Sequence, residues 1–169
     1  METHVLKPVL ISLAAAFALA PAALAAPMTP DAVADVLRDA GDTDVTVTWV
    51  SDKVARVDSN RDGLYYSVRL FGCDEQKSCI GVMTFATYAE PGTLDLSVYQ
   101  RNNQYNDSYP FGRGFVMAPE ENDGTYTIGL DYTLDIANET TFDKDDVDLF
   151  FDALNAYVIH MESTDNAGE

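Results

Sequence analysis

The sequence predicts an α+β domain in which one antiparallel sheet is covered by helices on a single face. One observation is the run from residue 126 to 136, where apolar and polar side chains alternate strictly. The other is the run from 147 to 161, where apolar residues recur at helical spacing. A sheet that is apolar on one face leaves its other face to solvent. We therefore expect a two-layer fold with the element order α-β-β-β-β-α-β-β-α.

The first half of the chain contributes one helix and four strands. Thr29 is placed to cap the helix, Pro30 suits its first position and Gly41 suits a left-handed end. Asn60 to Gly63 has the composition of a turn between the second and third strands. The four strands are predicted at 45–49, 53–58, 64–71 and 80–88.

The second half contributes two strands and two helices. Thr93 follows a Pro-Gly break and is predicted to cap a helix from 94 to 106. The last helix is predicted to start near Thr140 or Thr141, with aspartates in its first turns, where the helix dipole favours negative charge. Gly129 lies in the middle of the alternating run and predicts a bend or bulge there. The strands are predicted at 113–118 and 126–136.

Residues 1–25 have the three parts of a cleavable export leader. Lys7 supplies the basic residue, residues 9–24 are almost wholly apolar, and Ala23-Leu24-Ala25 gives a small-residue cleavage pattern. The apolar run is shorter than the roughly 20 residues that a membrane span needs, which favours cleavage over an uncleaved anchor. We expect a periplasmic or secreted protein with no membrane span after cleavage. It should consist of a single domain at 26–162 and a disordered tail at 163–169.

Cys73 and Cys79 are the two cysteines of the chain. Exported proteins meet an oxidising environment, so this pair predicts one disulfide, which would close the loop between two strands. A pair of free thiols is the alternative. The spacing is not that of a Cys-x-x-Cys redox motif, which argues against thiol chemistry.

The formal net charge of the chain is −18 at pH 7, from 28 acidic and 10 basic residues. Such a surface repels nucleic acid and anionic lipid, and it attracts cationic partners. Nucleic-acid binding is therefore excluded from the expected functions. A solvated acidic surface or an adaptation to a salty habitat would give the same composition.

The sequence lacks a recognisable catalytic or metal-binding motif, and we expect neither a cofactor nor a metal. His160 is the only histidine outside the leader, and one histidine cannot build a multi-histidine zinc site. Asp58 to Gly63 matches the start of a calcium loop, but Arg69 occupies the position that needs a bidentate glutamate. Asp131 and Asp135 share a strand face at roughly 13 Å, which is too far apart for a glycosidase pair.

Two stretches of the chain resemble the YbjN family. Gly63 to Cys73 is similar to the central strand of that family. Pro91 to Phe115 contains an asparagine-rich helix that runs into Phe111-Gly112-Arg113-Gly114, and it is similar to the family's helix-to-strand passage. The aspartate-rich strand from 128 to 135 and the amphipathic last helix fit as well. The resemblance implies a fold like the type III secretion chaperones, a role in regulating sensory transduction and no established catalytic residues. This chain differs from many relatives in its export leader.

Aromatic, arginine and asparagine side chains gather around the second helix and the loop after it. Aromatic residues and arginine are enriched at protein interfaces, so we predict a non-catalytic module that binds a protein or peptide outside the cytoplasm. Core tyrosines beside a surface loop are the alternative for these residues, and Asn102 in particular has the position of a residue that satisfies a neighbouring backbone group. The alternative function is that of a hydrolase that uses carboxylates on an exported polymer. A second copy of the chain, giving a homodimer, is a further candidate partner. The predicted partner-binding residues are Tyr99, Arg101, Asn102, Asn103, Tyr105, Tyr109, Phe111 and Arg113.

Overall fold

Nine helices and strands make up the computed structural model over the residues it describes, which are 28–118, 124–135 and 141–163. They follow one another in the predicted order, and the predicted fold class is confirmed. The elements are α1 (Pro30–Asp39), β1 (Thr43–Ser51), β2 (Val54–Arg61), β3 (Leu64–Phe71), β4 (Gly81–Pro91), α2 (Leu96–Ser108), β5 (Arg113–Met117), β6 (Thr125–Asp135) and α3 (Lys144–Glu162).

All six strands belong to one antiparallel sheet with the strand order β1-β2-β3-β4-β6-β5. The helices pack on one face of it and share one apolar cluster with the strands. Alternation along the strands explains this arrangement, because every second side chain points to the same face. The core residues with no exposed surface are Val33, Leu37, Val57, Val68, Leu70, Val82, Tyr105, Leu130, Val147, Leu154 and Tyr157, together with Ala55 beside them.

The predicted export leader lies outside the described residues, and so does the predicted tail beyond Ser163. Among the helices of the described ranges, none is both long and apolar enough to cross a bilayer.

Helix α1 begins and ends as predicted. The Thr29 side chain accepts a hydrogen bond from the Ala32 amide at 3.2 Å, and Pro30 occupies the first helical position. Gly41 follows the helix with a φ of 97°, a left-handed conformation that suits glycine.

The predicted turn at Asn60 to Gly63 is wrong in its first half. Strand β2 continues through Asn60 to Arg61, which pairs with Leu64. The turn itself consists of Asp62 and Gly63, with φ values of 54° and 87°. Two successive residues with positive φ form the tight hairpin turn whose twist matches that of the strands. The extra length of β2 has structural consequences, because it brings Arg61 onto the helix-covered face.

The predicted starts of α2 and α3 are also corrected. Asp95, two residues after Thr93, caps α2 and accepts hydrogen bonds from the amides of Ser97 and Val98. Bonds from the Ser97 hydroxyl and from these amides lower the pKa of Asp95. Helix α3 begins after Asp143, later than Thr141, and Thr140 lies outside the described residues. In both cases an aspartate is the cap, because its carboxylate accepts from two orphan amides.

Gly129 does not mark a bulge. Both ladders of β6 run through it without interruption, opposite Thr87 on one side and Phe115 on the other. The Phe115 ring covers the glycine so closely that a Cβ there would lie 2.3 Å from it. Phe71 covers Gly81, its partner across β3 and β4, in the same way. Each glycine therefore provides space for an aromatic ring on the open face.

The predicted disulfide is confirmed. Cys73 and Cys79 are bridged across the β3–β4 connection, with 3.9 Å between their Cα atoms. The bridged loop is also held by backbone hydrogen bonds from Cys79 to Met28 and from Cys73 to Lys53, at 2.8 and 3.2 Å. It thus ties together the chain before α1, the β1–β2 turn and the β3–β4 hairpin.

A buried ion pair joins four elements at the other end of the sheet. The Asp42 carboxylate has no exposed surface, and Arg61 Nε donates to its Oδ1 at 2.5 Å. Ser59 and Tyr66 donate their hydroxyl groups to the other oxygen of Asp42. Arg61 also reaches Asp148 of α3 at 2.8 Å. Loop, sheet and helix are therefore fixed to one another through a single guanidinium group.

The pKa values in this cluster follow from burial and pairing. Burial would by itself lower the pKa of Arg61, but the hydrogen bonds to Asp42 and Asp148 raise it above its usual value. Burial, and then the hydrogen bond to Asp42, raise the pKa of Tyr66. Hydrogen bonds from Lys144 and Arg61 lower the pKa of Asp148. Arg61 and Asp148 thus stay charged, and Tyr66 stays neutral, at ordinary pH.

We expect Arg61→Leu to destabilise the fold by about 3–5 kcal/mol, because it leaves the Asp42 carboxylate buried without its cation. Arg56 is the matched control, since it lies on the same strand but pairs with Asp58 at a half-exposed site. Arg56→Leu should cost less than about 1 kcal/mol. Urea unfolding of both variants at neutral pH measures the difference. Equal costs for the two variants would contradict the assigned role of Arg61.

Candidate partner-binding surface

The loop between α2 and β5 carries aromatic side chains against α3. Tyr109 ends α2, and its ring stacks on Tyr105 with 4.6 Å between centroids. Tyr105 meets Tyr157 edge to face at 4.9 Å, and its hydroxyl donates to the Ala153 carbonyl at 3.0 Å. Burial, with the nearby Tyr109, raises the pKa of Tyr105 to about 12. Tyr105 is therefore the buried support on which the exposed Tyr109 rests.

A shallow aromatic groove of 190 Å³ lies between this loop and α3. Tyr109 and Phe111 form one wall and are 41% and 49% exposed. Asp152 is the one charged residue in the lining. An apolar groove of this kind with a carboxylate at its side has the chemistry of a docking site for an apolar side chain next to a cationic one. We name this feature the aromatic groove; it is lined by Tyr105, Tyr109, Pro110, Phe111, Leu149, Asp152, Ala153 and Ala156.

Asparagine side chains of α2 attach the helix to the backbone of β5. Asn106 accepts from the Gly114 amide at 2.8 Å and donates to its carbonyl at 2.9 Å, as a neighbouring strand would. Asn102 donates to the same carbonyl at 3.1 Å, and its Oδ1 lies 3.0 Å from the Tyr157 hydroxyl. There is no room for a side chain at Gly114, where a Cβ would lie 2.6 Å from the Tyr157 ring. Asn102 thus satisfies a backbone group, as its sequence position predicts.

The structure separates the eight predicted residues into three places. Tyr105, Tyr109 and Phe111 line the aromatic groove. Two of the eight residues, Asn102 and Tyr105, are buried. The other members lie on α2 away from the groove or on the open face of the sheet. Tyr99 and Asn103 are exposed on α2, Arg101 donates to the carbonyls of Met161 and Ser163, and Arg113 pairs with Asp131 of β6 at 2.5 Å. Their role in partner binding stays a prediction.

The α3 side of the groove is missing from the sequence prediction. Leu149, Asp152, Ala153 and Ala156 follow one another at helical spacing on α3. The signal was present, because residues three and four apart lie on one helix face. This face of α3 could not be connected with the loop at 109–112 from the sequence, because no local pattern indicates which helix face a loop will cover.

A wider cleft of 820 Å³ lies beside the disulfide loop, between that loop and the β1–β2 turn. Two of its charged lining residues, Asp74 and Lys77, already have partners within the protein. The Lys77 ammonium lies 5.7 Å from the centroid of the Trp49 ring, and Asp74 accepts from the amides of Gln76 and Ser78. This internal pairing favours the aromatic groove as the candidate site.

Asp131 and Asp58, two carboxylates of the open sheet face, are already held in ion pairs. Asp131 is held by Arg113, and Asp58 accepts from Arg56 and Ser67. Asp58 lies within β2, so the segment that begins like a calcium loop is strand and hairpin turn. In the part of the chain that the structure describes, no cluster of three or more histidine, cysteine or acidic residues could hold a metal ion.

Comparison with known proteins finds likeness in fold alone. No protein-family model and no curated protein sequence matches this chain. The structure of an uncharacterized protein from Methanothermobacter thermautotrophicus is similar with a TM-score of 0.53 and 7% identity, over 79% of this chain and 94% of that one. The structure of YbjN from E. coli gives a TM-score of 0.48 and 12% identity, over 78% of this chain and 87% of that one. At these identities the similarity of the first structure supports the architecture and carries no activity across.

Replacing Asn102 should measure its structural role. Asn102→Ala removes a buried donor and acceptor and leaves the Tyr157 hydroxyl and the Gly114 carbonyl with fewer partners, so we expect a loss of about 1–3 kcal/mol. Asn103, the next residue, is exposed, and Asn103→Ala should stay within about 0.5 kcal/mol of the parent. Thermal unfolding followed by circular dichroism compares the two. A neutral Asn102→Ala variant would instead favour a ligand role for this side chain.

Proposed function

We propose that this protein is a non-catalytic binding module that holds a segment of a protein or peptide outside the cytoplasm. The observation that carries the proposal is the aromatic groove, in which Tyr109 and Phe111 are exposed over a buried support. Exposed aromatic residues on a rigid base supply much of the binding energy at protein interfaces, because they lose little conformational freedom on binding. Tyr105 supplies that base, since it is stacked under Tyr109 and bonded to α3.

The partner segment in this proposal combines an apolar side chain with a basic one. The groove has room for roughly one large apolar side chain, and its only charged lining residue is Asp152. The net charge of −18 would draw a basic segment toward the surface before contact and repel an acidic one. Apolar contact would then give the affinity, and charge would give the selectivity.

The location and the family are part of the same proposal. The export leader at 1–25 and the bridged cysteines support a periplasmic or secreted protein, because disulfides persist in oxidising compartments. The stretches at 63–73 and 91–115 support an exported relative of the YbjN proteins. The described fold, an antiparallel sheet with helices on one face, is compatible with that relationship.

A photo-crosslinking residue at position 111 tests the proposed surface. The exported protein carrying this residue is irradiated in its own compartment, and the captured partner is identified and then purified. Tyr109→Ala and Phe111→Ala should each weaken the binding of that partner by at least about tenfold, since each removes an aromatic contact.

Tyr99→Ala is the matched control, because Tyr99 is 42% exposed, close to the 41% of Tyr109, but lies outside the groove lining. Its affinity should stay within about twofold of the parent, as is usual for contacts outside a hot spot. The proposal fails if no partner is captured from position 111, or if the Tyr99 and Tyr109 variants lose the same affinity.

A further inference from the structure

The two outer strands of the sheet are protected to different extents. On β5, the Gly114 backbone is bonded to the Asn102 and Asn106 side chains, which close that part of its edge. On β1, the outer side has no partner strand within the described ranges. An outer strand presents unpaired N–H and C=O groups, and it is a template for pairing with another chain unless something blocks it.

Strand β1 has the composition of a strand that pairs. Its nine residues are rich in threonine and valine, with one tryptophan, and they include neither proline nor a basic residue. Proline and lysine commonly block an exposed strand edge, and β1 contains neither. Its one charged residue, Asp44, precedes the regularly paired part of the strand. Trp49 and Val50 at its end are 37% and 59% exposed.

We propose that β1 pairs antiparallel with β1 of a second copy, about a two-fold axis at Val47. The axis places Thr46 opposite Thr48 of the second copy, and Val45 opposite its Trp49. Threonine pairs and aromatic pairs with β-branched residues are favourable across antiparallel strands. The strand is therefore complementary to itself, as a symmetric dimer requires.

In this register, the β1 side chains that lie on the helix side of the sheet in one copy meet those on the helix side in the other. Val45 and Val47 pack against the core on the helix side, where Trp49 lies opposite the buried Ala55 of β2. In the paired sheet these side chains would continue the apolar layer from one copy into the next. The register of β1 against β2 shifts between Thr43 and Thr46 and again between Trp49 and Ser51. The regular part at 46–49 is short, so the dimer is expected to form at high concentration.

Electrostatic repulsion between two copies opposes the pairing of their β1 strands. Each copy has a net charge of −18, so two copies repel one another at low ionic strength. At about 1 M salt the screening length falls to about 3 Å, and the repulsion is largely removed. Association through β1 should therefore strengthen as salt is added, the opposite of what binding between unlike charges would show.

The single tryptophan of the chain reports on this interface directly. Fluorescence of the purified exported protein is recorded from about 1 μM to about 1 mM, at low salt and at high salt, with sedimentation velocity on the same samples. We expect a Trp49 emission shift to shorter wavelength that follows the monomer-to-dimer change in size. The midpoint should move to lower protein concentration at high salt.

Two double variants test the register. Thr46→Lys with Thr48→Glu places lysine opposite glutamate twice across the axis, and it should raise the association constant about tenfold. Thr46→Lys with Thr48→Lys places lysine opposite lysine twice, and it should lower the constant by a similar factor. The second variant has the smaller net negative charge. General repulsion alone would therefore make it the stronger dimer, which is the reverse of the proposed result.

Within one copy, position 46 faces Asp58 and position 48 faces Arg56, so urea unfolding of both variants is measured alongside to separate folding from association. A monomer at the highest concentration and high salt overturns the proposal, and so does equal association of two folded double variants. None of these results bears on the aromatic groove, which lies on the α3 side of the molecule.

Discussion

The buried pair of Arg61 and Asp42 is the constraint on which the rest of the structure depends. A guanidinium with 13% of its side chain exposed and a carboxylate with none can be tolerated only if every strong donor and acceptor finds a partner. Here the partners come from the α1–β1 connection, from β2 and β3, and from α3. The arrangement ties the end of α1 and the first turns of α3 to the sheet, because Asp42 follows α1 and Asp148 belongs to α3.

The second helix is attached by different means. Its asparagine side chains replace a strand at the edge of β5, and the Tyr157 hydroxyl of α3 donates to the Phe115 carbonyl of the same strand. Once α3 is held by Arg61 at one end and α2 is held to β5, the loop between α2 and β5 has to pass over α3. The aromatic groove is the result of these two attachments. The groove therefore has a buried base at Tyr105 and an exposed rim at Tyr109 and Phe111.

Patterns within single elements were enough to predict the architecture. Strict alternation located the strands, and the apolar stripe from Val147 to Met161 located α3. The sequence did not predict where some helices and strands begin and end, or which side chains from distant elements come into contact. The letters Asn-Arg-Asp-Gly have turn composition, yet Arg61 belongs to β2 because Asp42 holds it there. A bend or bulge was predicted at Gly129, but the ladders run through it and the Phe115 ring occupies the space beside it. Likewise, Tyr109 and Phe111 were predicted as binding residues, but the α3 residues that complete the groove were not.

A stability cycle on the two members of the pair tests this account most directly. Asp42→Leu and Arg61→Leu are made singly and together, and the free energy of unfolding is measured for all four proteins. Each single variant leaves one charge buried and unpaired, whereas the double variant removes both. The account predicts that the double variant is more stable than either single one, because leaving one charge behind costs more than replacing the pair. A double variant whose loss equals the sum of the two single losses would contradict it.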